Sequence, residues 1–151
     1  LAGLMSQHGI APEGYMAAVH DIDFTVLHPD PALAAAIAAL PGRRIVYTNG
    51  SAPYARDVLE HRGLGGLFDA IYGVEHASYV PKPERRAFEA VFAADGLAPA
   101  RAAMFEDDVR NLAVPHAMGL RTVHVAAEPD AAPNVEYHCT DLAAFLQGLR
   151  P

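Results

Sequence analysis

Apolar positions along the chain follow two alternating rhythms. Short β-rich runs, Arg44-Ile45-Val46-Tyr47, Ala70-Ile71-Tyr72-Gly73 and Arg121-Thr122-Val123-His124-Val125, read as strands. A further apolar run, Ala102-Ala103-Met104-Phe105, ends in three acids, Glu106, Asp107 and Asp108. Between these runs the spacing becomes helical. Ala55, Val58 and Leu59 share one face of a helix that Ser51 can cap and Gly63 stops. Phe88, Val91 and Phe92 fall at i, i+3 and i+4 in a helix opened by Pro83 and ended at Asp95-Gly96. Another helix covers roughly Val109 to Met118 before Gly119. A loop carrying Pro129 and Pro133 leads to a weak strand near Tyr137, and Asp141 caps a last helix striped by Leu142, Phe145, Leu146 and Leu149.

Strands alternating with helices of about three turns predict an α/β fold, a parallel sheet with helices on both faces. Residues 1–40 break that rhythm and read as purely helical: a short helix begins near Pro12-Glu13, and Asp30-Pro31 opens another that ends at Leu40-Pro41-Gly42.

The 151 residues fit one domain, and 52% apolar against 19% charged residues provides for a packed core. A net charge of −7 argues against nucleic-acid and anionic-membrane partners. The most apolar run, Ala32 to Leu40, is nine residues between prolines, whereas a span needs about 20. The start of the chain lacks the basic-then-apolar pattern of a signal peptide. A single cysteine, Cys139, points to a reducing cytoplasm. The eight histidines show no metal-ligand spacing, and Gly63 to Gly66 follows a helix and reads as a stop and turn. One asymmetry changes the picture: ten arginines accompany a single lysine, Lys82, held between Pro81 and Pro83.

In a parallel sheet, ligands bind beyond the carboxyl ends of the strands. Thr48-Asn49-Gly50 offers a hydroxyl and turn N–H groups to a phosphate oxygen, or is a plain strand–turn–helix connection. Lys82 is a solvated surface charge, or a compact ammonium kept for a phosphate. Glu106-Asp107-Asp108 is a solvated acidic turn, or a set of mutually repelling carboxylates that Mg²⁺ relieves. Thr48 precedes Lys82 by 34 residues, and Lys82 precedes Glu106 by 24.

In that order and spacing the chain resembles the haloacid dehalogenase (HAD) superfamily of aspartate-nucleophile phosphohydrolases, over residues 44–125. Thr48 with Asn49 and Gly50 is similar to its second motif, Lys82 with Pro83 and Glu84 to its third, and Glu106 and Asp107, followed by Asn111, to its fourth. The stretches HPDPALAAAIAALPGRRIVYTNG and YVPKP are similar to the bacterial pyrimidine 5′-nucleotidase branch. The resemblance implies a Rossmann-like core over 41–151, with residues 1–40 the tail of a helical cap and its return linker.

The superfamily's first motif is an apolar strand ending in Asp-x-Asp-x-Thr. Asp21-Ile22-Asp23-Phe24-Thr25 spells it, but the preceding Tyr15 to His20 is poor strand material, and only 27 residues separate Asp21 from Thr48. The favoured expectation places the nucleophile upstream of Leu1, on a central strand between those ending at Thr48 and Glu106. Asp21 and Asp23 are the fallback. Without that strand two unpaired edges would stand in mid-sheet.

The resemblance implies Mg²⁺-dependent hydrolysis of a small phosphorylated metabolite, a nucleoside 5′-monophosphate by preference, through an aspartyl-phosphate. Asp107 and Glu106 would hold the metal, with Asp108 a third candidate. Thr48, Asn49 and Gly50 would bind the phosphoryl group, and Lys82 would stabilise its charge. Lys82→Ala is expected to abolish activity with little change in folding. Alternatives are a catalytically inactive HAD-like binding module and phosphomutase or dehalogenase chemistry. A receiver-like signalling domain carries its acid pair first and its lysine last, the reverse of the order here.

Overall fold

The computed structural model describes residues 23–149. Its helices are α1 (Pro31–Ala38), α2 (Ala52–His61), α3 (Arg85–Asp95), α4 (Ala113–Met118) and α5 (Leu142–Gly148). Its strands are β1 (Ile45–Tyr47), β2 (Ala70–Tyr72), β3 (Ala103–Glu106), β4 (Arg121–Val125) and β5 (Tyr137–Cys139). The alternation expected from the sequence is present from β1 onward. The stretch read as a helix over 109–118 is a 3-10 turn, Val109–Leu112, before α4 begins. The short helix expected near Pro12 lies outside the described residues.

Local chemistry sets the helix starts. The Asp30, Ser51 and Asp141 side chains accept from the amides of Leu33, Tyr54 and Ala144, three residues into α1, α2 and α5. Each satisfies an amide that the first turn leaves without a partner. Gly96 and Gly119 close α3 and α4 in the left-handed conformation that glycine adopts without penalty.

All strand pairs are parallel. β1 pairs with β2, and β3, β4 and β5 pair in that order, with β4 in the middle. On one face α3 supplies fully buried Ala87, Phe88 and Val91, packed against Tyr47 of β1, Tyr72 of β2 and Met104 of β3. On the other, Ala36 and Ile37 of α1 join Leu146 of α5, Leu64, Leu59, Phe68 and Phe105 of β3. Burying each large side chain contributes roughly 1.5–3 kcal/mol. The helices thus bind two pieces of sheet into one sandwich.

Between the pieces the ladder is interrupted. Among the described residues β1 pairs only with β2, and β3 only with β4, so each presents an unpaired edge. These are the strands that end at Thr48 and Glu106, between which the family resemblance implies a further strand.

α1 falls within the stretch expected to be cap tail and return linker. Ile37 of α1 is 6% exposed because it packs with Leu64 and Leu146, so this helix lies against the α/β body. An alanine-rich helix carries little of the patterning that would distinguish the two positions. No helix among the described residues is long and apolar enough to cross a membrane.

Candidate active site

The carboxyl ends of β1 and β3 meet at Lys82. The lysine lies in the loop between the 3-10 turn Val74–Ala77 and α3, beside a cis Lys82–Pro83 bond. Its side chain is 7% exposed. The ammonium contacts Glu106 Oε2 at 2.5 Å and donates to the Tyr47 carbonyl at 3.2 Å, lying 5.1 Å from the centre of the Tyr47 ring. One cation therefore joins the two pieces of sheet at the end where ligands bind in such folds. The surface-charge reading of Lys82 is set aside. So is the expectation that Lys82→Ala leaves folding untouched, because that change strands a buried carboxylate.

Thr48 continues β1, its N–H donating to Tyr72 O at 2.9 Å, and its hydroxyl accepts from Gly50 N at 3.0 Å. Asn49 is committed elsewhere. Its Oδ1 accepts from the Lys82 N–H at 2.7 Å and its Nδ2 donates to the Lys82 carbonyl at 3.1 Å. Glu75 supports the same corner by accepting from Ala52 N, at the start of α2, at 2.9 Å. Gly73 is needed here, because a Cβ on it would lie 2.3 Å from that nitrogen.

The three adjacent acids have three different surroundings. Glu106 is buried and paired with Lys82. Asp108 accepts from the Arg110 guanidinium at 2.6 Å and caps the following turn through Arg110 N at 3.0 Å. That guanidinium, with the turn bond, holds its carboxyl below the ordinary 3.8. Asp107 is exposed, and the adjoining Glu106 side chain, with the charge of Lys82, holds its carboxyl below 3.8 as well.

Mg²⁺ is held by one or two protein carboxylates together with phosphate and water. Asp107 fits as such a ligand, since no lysine or arginine pairs with it among the described residues. Asp108 does not fit, its charge being spent on Arg110, and Glu106 is held by Lys82. Among the described residues no group of three potential ligands stands ready for a metal.

Sequence reasoning missed His124. It lies opposite Glu106 in the β3–β4 register and is 5% exposed, with its Nε2 3.1 Å from the Asp107 carbonyl. That contact assigns the proton to Nε2 and leaves Nδ1 buried without a partner among the described residues. A polar residue at the end of a central strand was the available signal. Asn111 is buried behind the acidic turn. Of the fallback nucleophile pair, Asp21 lies outside the described residues. Asp23 is exposed, on no strand, and caps a 3-10 turn by accepting from Thr25 N at 2.8 Å.

Fold and site together define a Rossmann-like α/β protein whose charged groups gather beyond the carboxyl ends of parallel strands. The sequence profile of the haloacid dehalogenase-like hydrolase family matches residues 8–119, and the chain belongs to that family. No curated protein matches the sequence. Similar solved structures include the L-2-haloacid dehalogenase of Xanthobacter autotrophicus with chloropropionic acid covalently bound, at 24% identity and TM-score 0.63, over 85% of this chain and 53% of that one. A HAD phosphatase from Thermococcus onnurineus is 19% identical with TM-score 0.63, over 93% of this chain and 65% of that one. A candidate β-phosphoglucomutase from Thermotoga maritima is 16% identical with TM-score 0.70, over 99% and 77%. The chain thus spans about half the length of the dehalogenase, and these likenesses show the fold.

Proposed function

We propose that this site hydrolyses phosphate monoesters with Mg²⁺, nucleoside 5′-monophosphates being the preferred class, in a reducing cytoplasm. The observation that carries the reading is the buried Lys82 ammonium between β1 and β3, with the Thr48 hydroxyl at the end of β1 and the exposed Asp107 carboxylate just past β3. A phosphate ester brings negative charge to this place. Asp107 would repel it unless a cation came between them, which favours phosphoryl transfer over dehalogenation, a reaction that needs no metal.

The nucleophile in this reading is an aspartate at the end of a further parallel strand between β1 and β3, outside the described residues. Its carboxylate oxygen bonds to phosphorus as the ester P–O bond breaks, and the alkoxide leaves as the alcohol by taking a proton from solvent, which the attacking water of the next step gives back. Water then attacks phosphorus, the aspartyl P–O bond breaks, and inorganic phosphate is released with the carboxylate restored. Lys82 neutralises charge on the phosphoryl oxygens and holds the nucleophile ionised. The Thr48 hydroxyl and the backbone N–H groups of the turn orient those oxygens, and His124 fixes the Asp107 main chain. Mg²⁺ bound at Asp107 supplies further charge neutralisation.

The test is phosphate release by the full-length protein from a panel of monoesters, with Mg²⁺ and with chelator. Asp107→Asn should lower turnover about 100-fold, the scale of losing one group aimed at the transition state. Asp108→Asn, whose carboxylate serves Arg110, should stay within about threefold of wild type, since it touches neither metal nor substrate. Halide release from 2-haloacids without phosphate release would replace this reading with the dehalogenase one. Absence of both would favour an inactive binding module.

A further inference from the structure

The family resemblance assigns Asn49 to the phosphate, yet both polar ends of its side chain are spent on one neighbour. We propose that Asn49 is a positioning residue for Lys82, gripping the lysine's main chain so that its ammonium stands between β1 and β3, and that its side chain is not a ligand of the phosphoryl group. The functional part of this inference rests on the phosphate-monoester reading above.

Asn49 Oδ1 takes the Lys82 N–H at 2.7 Å, and Nδ2 gives its hydrogen to the Lys82 carbonyl at 3.1 Å. A primary amide is suited to this work because it carries a donor and an acceptor side by side, as a peptide group does. The pairing imitates one rung of a β-ladder between the end of β1 and the lysine loop. The same strand end also holds the other extremity of Lys82, through the Tyr47 carbonyl at 3.2 Å. Lys82 is therefore anchored to the end of β1 at its main chain and at its ammonium, while the Glu106 contact crosses to β3.

The loop leading to Lys82 needs such an anchor. Ser78 and Tyr79 both have left-handed backbone, with φ of 53° and 61°. Residues other than glycine adopt that conformation at a cost, and two in succession persist only when surrounding bonds hold them. Without the amide grip the loop can relax, carrying the lysine away from a place it must occupy within a fraction of an ångström.

The Lys82 amide makes the test direct. In full-length protein carrying [¹⁵N]lysine, the amide signal of Lys82 is the one lost in Lys82→Arg. Its N–H is the group that Asn49 receives, so in Asn49→Ala the signal should shift and its hydrogen exchange should quicken about tenfold, the worth of a typical hydrogen bond. Asn49→Asp keeps an acceptor for the N–H but sets an oxygen against the Lys82 carbonyl, so its exchange should fall between the two. In both variants kcat for a phosphate monoester should drop about 10- to 100-fold, as for other residues that orient a reacting group, with KM within about threefold of wild type. A Lys82 amide unmoved in Asn49→Ala, or a raised KM with kcat preserved, overturns the proposal and makes Asn49 a phosphate ligand. If Asn49→Ala does not fold, Asn49→Asp decides by the same readouts. If the wild type hydrolyses no phosphate ester while the amide behaves as expected, the grip stands and the phosphate reading fails.

Discussion

Replacing Lys82 by methionine tests whether the Lys82–Glu106 pair is the buried junction described above. The two charges are 2.5 Å apart, and both side chains are 7% exposed, so water screens them little. Removing one partner of such a pair costs about 3–5 kcal/mol, most of it the penalty of leaving the other charge buried alone. Loss of the bond to the Tyr47 carbonyl adds about 1 kcal/mol. Against a typical domain stability of about 5–15 kcal/mol, the variant keeps a fold but a much weaker one. Urea unfolding of the full-length protein at neutral pH reads the loss as a shift in midpoint at constant slope. Lys82→Met combined with Glu106→Gln removes the stranded charge and should recover about 2 kcal/mol or more, a coupling typical of contacting residues. A loss below about 1 kcal/mol would refute the burial argument, because that is the worth of a solvated surface pair. Additive losses in the double variant would refute the pairing itself.

Three further substitutions test the structure. Tyr47→Phe removes a buried hydroxyl that has no partner among the described residues, so stability should be unchanged or rise by up to about 1 kcal/mol; a clear loss would reveal a partner. The same variant, subtracted from wild type, isolates a phenol that burial pushes up to about 12, so its phenolate absorbance should develop only near that pH. Asp69 accepts from Arg44 N at 2.7 Å, and this bond holds its carboxyl below 3.8. A depressed native value favours the ionised form, so Asp69 adds stability above the ordinary carboxylate range and loses it as pH falls through the native value. Asp69→Asn should therefore flatten the acid limb of Tm against pH, and a curve parallel to wild type would contradict the bond. Asp23→Ala should leave turnover unchanged, since Asp23 is an exposed cap that accepts only from the Thr25 amide among the described residues; a collapse of turnover would return Asp23 to the mechanism.

The alternation of strands and helices was legible in the sequence because its causes are local. Caps such as Asp30, Ser51 and Asp141 act three residues away, and the two periodicities are fixed by backbone geometry. The placing of Thr48, Lys82 and Glu106 at one end of the sheet was legible for the same reason, since each follows or faces a strand end. The division of labour among the three acids was not. Glu106, Asp107 and Asp108 are chemically near-equivalent in sequence, and what separates them is the cation each meets in space. For Glu106 that cation lies 24 residues back, and for Asp108 it lies two residues on. The same limit hid α1, whose place in the body is decided by contact between Ile37 and Leu146 at the other end of the chain.

The lysine itself joins the two levels. A chain with ten arginines could have used an eleventh, and composition alone marks the exception without explaining it. The geometry supplies the reason. An ammonium has three donors arranged about a point. Among the described residues one meets the Tyr47 carbonyl and one meets Glu106, in a space walled by the Tyr47 ring. That leaves one donor for a charge arriving between β1 and β3. A planar guanidinium would need a wider opening and would present paired donors to a place that offers single oxygens on different strands. Lys82→Arg should therefore fail to restore what Lys82→Met removes, although the charge is conserved.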